Sequence, residues 1–217
     1  MTLSPPEHGA WRLHGEDDLP VILRAALDCF VRQGYHGTTT RQIATRSGMS
    51  VPGIYHHHSS KQALLASVME HAMEDLWWRS QAAARESGPG PWEQLAAQVE
   101  CLVLFHSRRQ DLAFISWNEI RSLEPAHRAA HVERRDRQQS VVDEIVARGC
   151  AEGVFRVGRP KEAARAITTL CVSVAHWYRA DGPLSPDELA AEYVALVQGM
   201  MRCAEPAAAT GRGPSWD

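Results

Sequence analysis

Residues Gly34 to Leu65 read GYHGTTTRQIATRSGMSVPGIYHHHSSKQALL, and the punctuation inside this stretch decides the architecture. Thr39 stands as the cap of a very short helix in which Ile43 and Ala44 face inward, and Gly48 ends it. Ser50 caps a second short helix with Pro52 in its first turn, where a missing amide hydrogen does no harm. Ser59 and Gln62 have the S-x-x-Q spacing of a capping box and open a long third helix. Two short helices joined by SGMS make a helix-turn-helix pattern, whose second helix can enter a major groove. Val51 and Gly53 are small enough at the start of that helix to allow close approach, and Arg41 suits a two-pronged contact to guanine. Thr39 and Thr40 lie where helix N-terminal amides and hydroxyls bind phosphate, and Tyr55, His56 and Lys61 add further phosphate-reaching groups.

The histidine run His56, His57 and His58 invites a metal or a catalytic reading, and both fail on geometry. Consecutive helical side chains point about 100° apart, so the three rings cannot converge on one ion. No serine, cysteine or carboxylate is placed to partner them. Charge favours a polyanion instead. Residues 19–61 carry five Lys and Arg against Asp28 alone, a net +4 inside a chain of net −3, so the remainder is −7.

Working outward, helical periodicity dominates and no period-two strand stands out. Leu19, Ile22, Leu23, Ala26, Leu27, Phe30 and Val31 form one stripe, with Asp18 as its expected cap, Pro20 in the first turn and Gly34 as its stop. Leu64, Leu65, Val68, Met69, Ala72, Met73 and Leu76 form the buried stripe of the long helix. SGPGP (Ser87 to Pro91) breaks the chain before an apolar helix, Trp92 to His106, whose CLVLF is apolar on every side and therefore central. Further helices are expected over Asp111–Leu123, Pro125–Gly149 and Pro160–Arg179, and a last one from Ser185, with Glu188 completing a box, to Cys203. The fold class is all-α, about nine helices: a three-helix helix-turn-helix domain (18–62), then a larger helical bundle for ligand binding and dimerisation (63–204), with disordered ends at 1–17 and 205–217.

Cys29, Cys101, Cys150, Cys171 and Cys203 are odd in number and widely spaced, which suggests reduced, buried thiols. No run approaches the ~18 apolar residues of a membrane span, and no apolar signal core precedes Asp18, so the expected location is the cytoplasm. No nucleophile–base–acid set, phosphate loop or HExxH occurs, which argues against an enzyme, and no cofactor or metal site is expected.

The Gly34–Leu65 stretch resembles the DNA-binding domain of TetR-family transcriptional regulators, with its entry GYHGTT, then IA, GMS, and YHHHSSKQAL. His58 stands where that pattern usually packs an aromatic or aliphatic residue, and Gln62 replaces its usual acid. The resemblance implies that His56 and His57 face phosphates while His58 faces inward. The implied DNA interface is Thr39, Thr40, Arg41, Ser50, Val51, Pro52, Gly53, Tyr55, His56, His57 and Lys61, acting on a palindromic duplex operator. It also implies a homodimer paired through the last two helices, for which Ile167, Leu170, Cys171, Val174, Leu189, Tyr193, Leu196, Val197 and Met200 are suitable; they could equally fill the domain's own core.

FISWNEIRSLEPAHR (114–128), EGVFRVGRP (152–160) and HWYRADGPLSPDELAAEYVALV (176–197) are similar to segments of TetR-family repressors of fatty-acid and sterol catabolism, some of which respond to acyl-CoA thioesters. Such an effector needs an apolar tunnel, for which Phe105, Phe114, Trp117, Trp177 and Tyr178 are candidates. It also needs cations for its phosphates: Arg108, Arg109, Arg121, Arg128, Arg134 and Arg135. Arginines paired with Glu119, Glu124 or Glu133 around a plain aromatic core would read the same. A regulator of efflux or detoxification genes that answers to an unrelated lipophilic compound is the alternative.

Overall fold

A computed structural model describes residues 9–15 and 19–201. Its described residues form nine α-helices and two short 3-10 turns, with no strand. The first helix, α1 (Val21–Gly37), buries Ile22, Leu23, Ala26, Leu27 and Phe30 as the stripe demands. Its regular part ends at Gly34, whose φ of 70° and ψ of 167° only glycine adopts without strain. Thr38, just beyond, is buried and donates its hydroxyl to Cys29 O and Gly34 O, closing the broken end. The expected cap Asp18 lies outside the described residues; Pro20 occupies the cap position and makes no side-chain cap bond.

The helix-turn-helix follows as α2 (Thr40–Ser47) and α3 (Val51–His57). Thr39 and Gln42 form a reciprocal capping box on α2, and Gly48 ends it with a left-handed φ of 68°. Ser50 caps α3 by accepting from Gly53 N. Ile43 and Ile54 are both fully buried, with α2 packed on α1 and α3 packed on α2.

The long α4 (Lys61–Glu86) buries the whole stripe Leu64 to Leu76 expected of it. Its cap is Ser60, which accepts from Ala63 N, and not Ser59. Gln62 is therefore not half of a capping box. It is buried, donates from Nε2 to Ser122 O (2.6 Å) and accepts at Oε1 from Glu124 N (3.1 Å), stapling α4 to a segment sixty residues away.

Next come α5 (Pro91–Arg108), α6 (Gln110–Asn118) with a 3-10 turn at Glu119–Ser122, α7 (Pro125–Ala151), α8 (Pro160–Trp177) and α9 (Pro186–Met201). The helix α5 is buried from Cys101 through Ser107 and packs against α4, α7, α8 and α9, so it forms the axis of the bundle. Ser185 and Glu188 make the expected box at α9. Glu119 spans the junction between bundle and helix-turn-helix: one carboxylate oxygen accepts from Tyr35 N and the other from Ser122 Oγ.

One expectation about the chain's margins changes, and one about its thiols. Residues 9–15, expected to be disordered, pack against the bundle because Trp11 finds a site on α4 and α5. Trp11 is 1% exposed, its Nε1 donates to Glu86, and Arg79 donates to Trp11 O and Leu13 O. Arg12 pairs with Glu100 on α5. Cys29, Cys101, Cys150 and Cys171 are free; Cys150 is only partly buried, and burial pushes Cys101 and Cys171 up to about 12, so those two stay protonated. Cys203 and residues 205–217 lie outside the described residues.

Candidate nucleic-acid interface and ligand cavity

The outer face of α2 and α3 is built by the turns just described. Arg41, Pro52, Tyr55, His56 and His57 are exposed along it, while Thr40, Val51 and Gly53 are half-buried against the helix starts. The Thr39 and Ser50 side chains are engaged as caps, so they position the helices from which the exposed groups project. Gly53 is small for a local reason: a Cβ there would sit 3.2 Å from the Ser50 cap oxygen. The His56 and His57 rings meet edge to face at 5.4 Å on the surface. His58 is half-buried, 3.5 Å from Ser67 Oγ, and burial lowers its pKa below the usual histidine range.

Lys61 sits differently from its expected phosphate-reaching role. Its ammonium donates to Tyr35 O (2.8 Å) and Thr38 O (2.7 Å) and lies 4.2 Å from the centre of the Tyr35 ring. It closes the C-terminal end of α1, where unpaired carbonyls attract a cation. Arg46 is also engaged within the domain, pairing at the surface with Asp28 at 2.6 Å.

A cavity of about 280 Å³ opens inside the bundle between α4, α5, α6, α7 and α8. Its apolar wall comes from Ala72, Met73 and Leu76 of α4 with Leu102 and Phe105 of α5. Ser116, Gln138 and His106 are polar groups on the wall, and Trp117, Arg135 and Arg165 stand around it. The Arg135 guanidinium stacks 4.3 Å above the Trp117 ring, and burial lowers its pKa. His106 donates from Nδ1 to Leu102 O and is held near 4 by burial, so it is neutral at physiological pH. His131 behind the wall is also held near 4, again mainly by burial.

Of the expected ligand residues, Phe105 and Trp117 line this cavity. Phe114 packs instead beside His176 at 5.7 Å between ring centres. Arg121 is exposed on the 3-10 turn, where its carbonyl accepts from Arg128. Trp177 lies five residues past Val172, the last cavity residue of α8, which turns it about 140° away and leaves it exposed. Tyr178 follows the end of α8 and gives its hydroxyl to Leu184 O. Among the arginines expected to meet phosphates, Arg108 pairs with Asp187, Arg109 with Asp75 and Arg134 with Glu70. Arg128 donates to backbone carbonyls, and Arg135 alone of the six lines the cavity. Arg165, Thr168 and Thr169 of α8 also line the cavity, unexpectedly, because their i, i+3, i+4 spacing marks one face but their polarity disguises it.

A three-helix reading head followed by an all-helical bundle that encloses a cavity defines the helix-turn-helix class of DNA-binding regulators. The profile described as "Bacterial regulatory proteins, tetR family" matches residues 22–68, and "Tetracyclin repressor-like, C-terminal domain" matches residues 88–201; the chain belongs to the TetR family. It is a DNA-binding transcriptional regulator and not an enzyme. The HTH-type transcriptional repressor KstR2 of Mycolicibacterium smegmatis is 28% identical over 181 residues, covering 82% of this chain and 87% of that one. A tetR-family regulatory protein from Rhodococcus RHA1 superposes with a TM-score of 0.79 at 30% identity, over 85% of this chain and 97% of that one. AibR, in a complex with isovaleryl coenzyme A and operator DNA, shares the fold with a TM-score of 0.75 at 24% identity, over 81% of this chain and 95% of that one. No helix among the described residues is long and apolar enough to cross a membrane.

Proposed function

We propose that this chain is a cytoplasmic, homodimeric repressor that leaves a palindromic operator when a lipophilic acid or its acyl thioester fills the cavity beneath α4. The observation that carries the reading is the double duty of α4: it begins against the helix-turn-helix unit, and its Ala72, Met73 and Leu76 wall the cavity. In this reading residues 18–62 contact DNA through Arg41, Tyr55, His56 and His57, and residues 63–204 bind effector and partner. Leu170 (41% exposed), Trp177 (50%) and Leu196 (60%) on α8 and α9 supply an apolar face for a second copy, whereas Ile167, Cys171, Val174 and Val197 fill the chain's own core. One short recognition helix contacts too few base pairs to specify a site, so two copies bind one helical turn apart or a multiple of it.

Filling the cavity tilts α4 and changes the spacing of the two recognition helices. A ligand does this only through unequal affinity for the two spacings, and a ~100-fold loss of DNA affinity needs ~2.7 kcal/mol of coupling. The anionic end of the effector meets Arg135 and Arg165, since Arg108, Arg109 and Arg134 form ion pairs, Arg128 donates to backbone carbonyls and Arg121 does not line the cavity. The AibR likeness agrees with an acyl-CoA, that protein having been crystallised with isovaleryl coenzyme A. Fluorescence anisotropy with a duplex from the gene's own upstream region tests this, titrated with decanoyl-CoA, decanoate and CoA. Release by decanoyl-CoA supports the reading; an operator complex untouched by both apolar compounds sinks it.

A further inference from the structure

We propose that the effector cavity is built for an apolar body carrying an alcohol group, which its wall holds between Gln138 and Ser116; the inference rests on the effector reading above. Gln138 lines the cavity and is 5% exposed, and its Oε1 is buried without a hydrogen-bond partner. The orientation of its amide follows from a chain of buried bonds. Gln98 must present Nε2 to Ser80 O (2.9 Å), because a carbonyl only accepts. Gln98 Oε1 therefore faces Ser80 Oγ and takes its proton at 2.6 Å. Ser80 Oγ has no proton left for Gln138, so Gln138 donates to it from Nε2 at 3.0 Å. Its Oε1 is left as a pure acceptor.

Ser116 stands on the same wall, is 8% exposed, and its Oγ is also buried without a partner. A hydroxyl there both donates and accepts. His106 adds a second acceptor-only edge, since Nδ1 holds the ring proton against Leu102 O at 2.7 Å and leaves Nε2 with a lone pair. Buried polar groups are normally satisfied, and these fall together on the lining of one cavity. The matching group must donate to Gln138 Oε1 or His106 Nε2 and accept from Ser116 Oγ. An alcohol does both.

A carboxylate does not do both, because it can accept from Ser116 Oγ but has no proton to give Gln138 Oε1 or His106 Nε2. An ammonium is disfavoured by Arg135 and Arg165 around the cavity, with only the exposed Asp136 to offset them. The anionic end of the ligand therefore stays with the arginines and the hydroxyl sits deeper. At ~30 Å³ for each water-sized group, the 280 Å³ space holds about nine to ten non-hydrogen atoms.

With the carboxylate left at the arginines, a nine-carbon chain matches that space, and acids of this length test the inference on the full-length protein by calorimetry: decanoate, 3-hydroxydecanoate and 10-hydroxydecanoate. At least one hydroxy acid should bind about tenfold more tightly than decanoate, which is about 1.4 kcal/mol. Ser116→Ala removes only an unpartnered atom, and Gln138→Leu replaces the acceptor by a hydrocarbon of similar size; each should cut the preference at least threefold while decanoate binds no more weakly than to wild type. Thermal melting of each variant checks that it is folded, and if Gln138→Leu does not fold, Ser116→Ala decides. Equal binding of all three acids by the wild type, or a preference unchanged in Ser116→Ala, overturns the alcohol assignment and leaves the effector site standing. No binding by any of the three overturns the alcohol assignment, while release of the operator by decanoyl-CoA, or its failure, still decides the effector reading.

Discussion

Replacing Gln62 by Ala should destabilise the protein by about 3 kcal/mol. The side chain is buried and makes two backbone bonds, to Ser122 O at 2.6 Å and from Glu124 N at 3.1 Å. Each contributes about 1 kcal/mol net, and the buried methylene lost adds about 0.8 kcal/mol. Gln62→Leu keeps the apolar volume and should lose only about 2 kcal/mol. Gln62→Glu, which restores the acid more usual in this motif, tests the donor separately. An ionised glutamate still accepts from Glu124 N but sets a negative oxygen against the Ser122 carbonyl. Protonation restores a donor there, so the folded pKa of that glutamate lies above its unfolded value. The folded state then binds more protons, and the stability of this variant falls as pH rises through the interval between the two pKa values. Urea unfolding followed by far-ultraviolet circular dichroism, at fixed protein concentration and at acid and neutral pH, measures all three. A loss below ~1 kcal/mol in Gln62→Ala, or a glutamate variant as stable as wild type at neutral pH, refutes the staple.

Trp11→Ala should free residues 9–15 from the bundle, so trypsin should cut after Arg12 at least tenfold faster, and the melting temperature should fall; cleavage at an unchanged rate contradicts the docking. Because burial holds His106 near 4, against ~6.5 unfolded, the unfolded chain binds more protons between those values and stability is lost as pH falls through them. His106→Asn keeps a donor for Leu102 O without the titration and should lose less stability between pH ~7 and ~5 than wild type does. Lys61→Met should cost about 2 kcal/mol of folding stability by removing charged donors from Tyr35 O and Thr38 O. Arg41→Ala should change stability by less than ~0.5 kcal/mol, yet relax base preference at one operator position by roughly 1–3 kcal/mol, as read by competition with variant duplexes.

The parts of the fold legible in the sequence were those written in local chemistry. Thr39 with Gln42, Gly48 and Ser50 each act within four residues, so the helix-turn-helix emerged from spacing alone. The bundle's core followed from long apolar stripes such as Leu64 to Leu76. Long-range polar bonds leave no such signature. Gln62 has capping-box spacing from Ser59, yet its partners lie beyond Ser122, and neither periodicity nor propensity encodes that distance. Trp11 was invisible for a similar reason: a lone aromatic among prolines, glycines and acids carries no period. In the cavity the search for aromatics found Phe105 and Trp117 but overvalued Trp177. The polar wall of Ser116, Gln138 and Thr168 looks, in sequence, like an ordinary solvated face.

The capture of Lys61 by two carbonyls and of Arg46 by Asp28 bears on how such a regulator searches a chromosome. Non-specific adhesion to DNA comes almost wholly from displaced counterions, one for each phosphate neutralised. A reading head with few cations to offer displaces few of them. On the proposed interface, its grip on random sequence is expected to be weak and only gently salt-dependent, as a salt titration on non-operator duplex would read. Competition from the millions of non-operator sites on a genome is correspondingly reduced. Occupancy of the operator then depends on the copy number of the protein and on the state of its cavity more than on dilution into the surrounding DNA. If the proposed effector reading holds, a small pool of dimers would suffice, and emptying or filling the cavity would shift transcription without the lag that a large DNA-bound reservoir would impose.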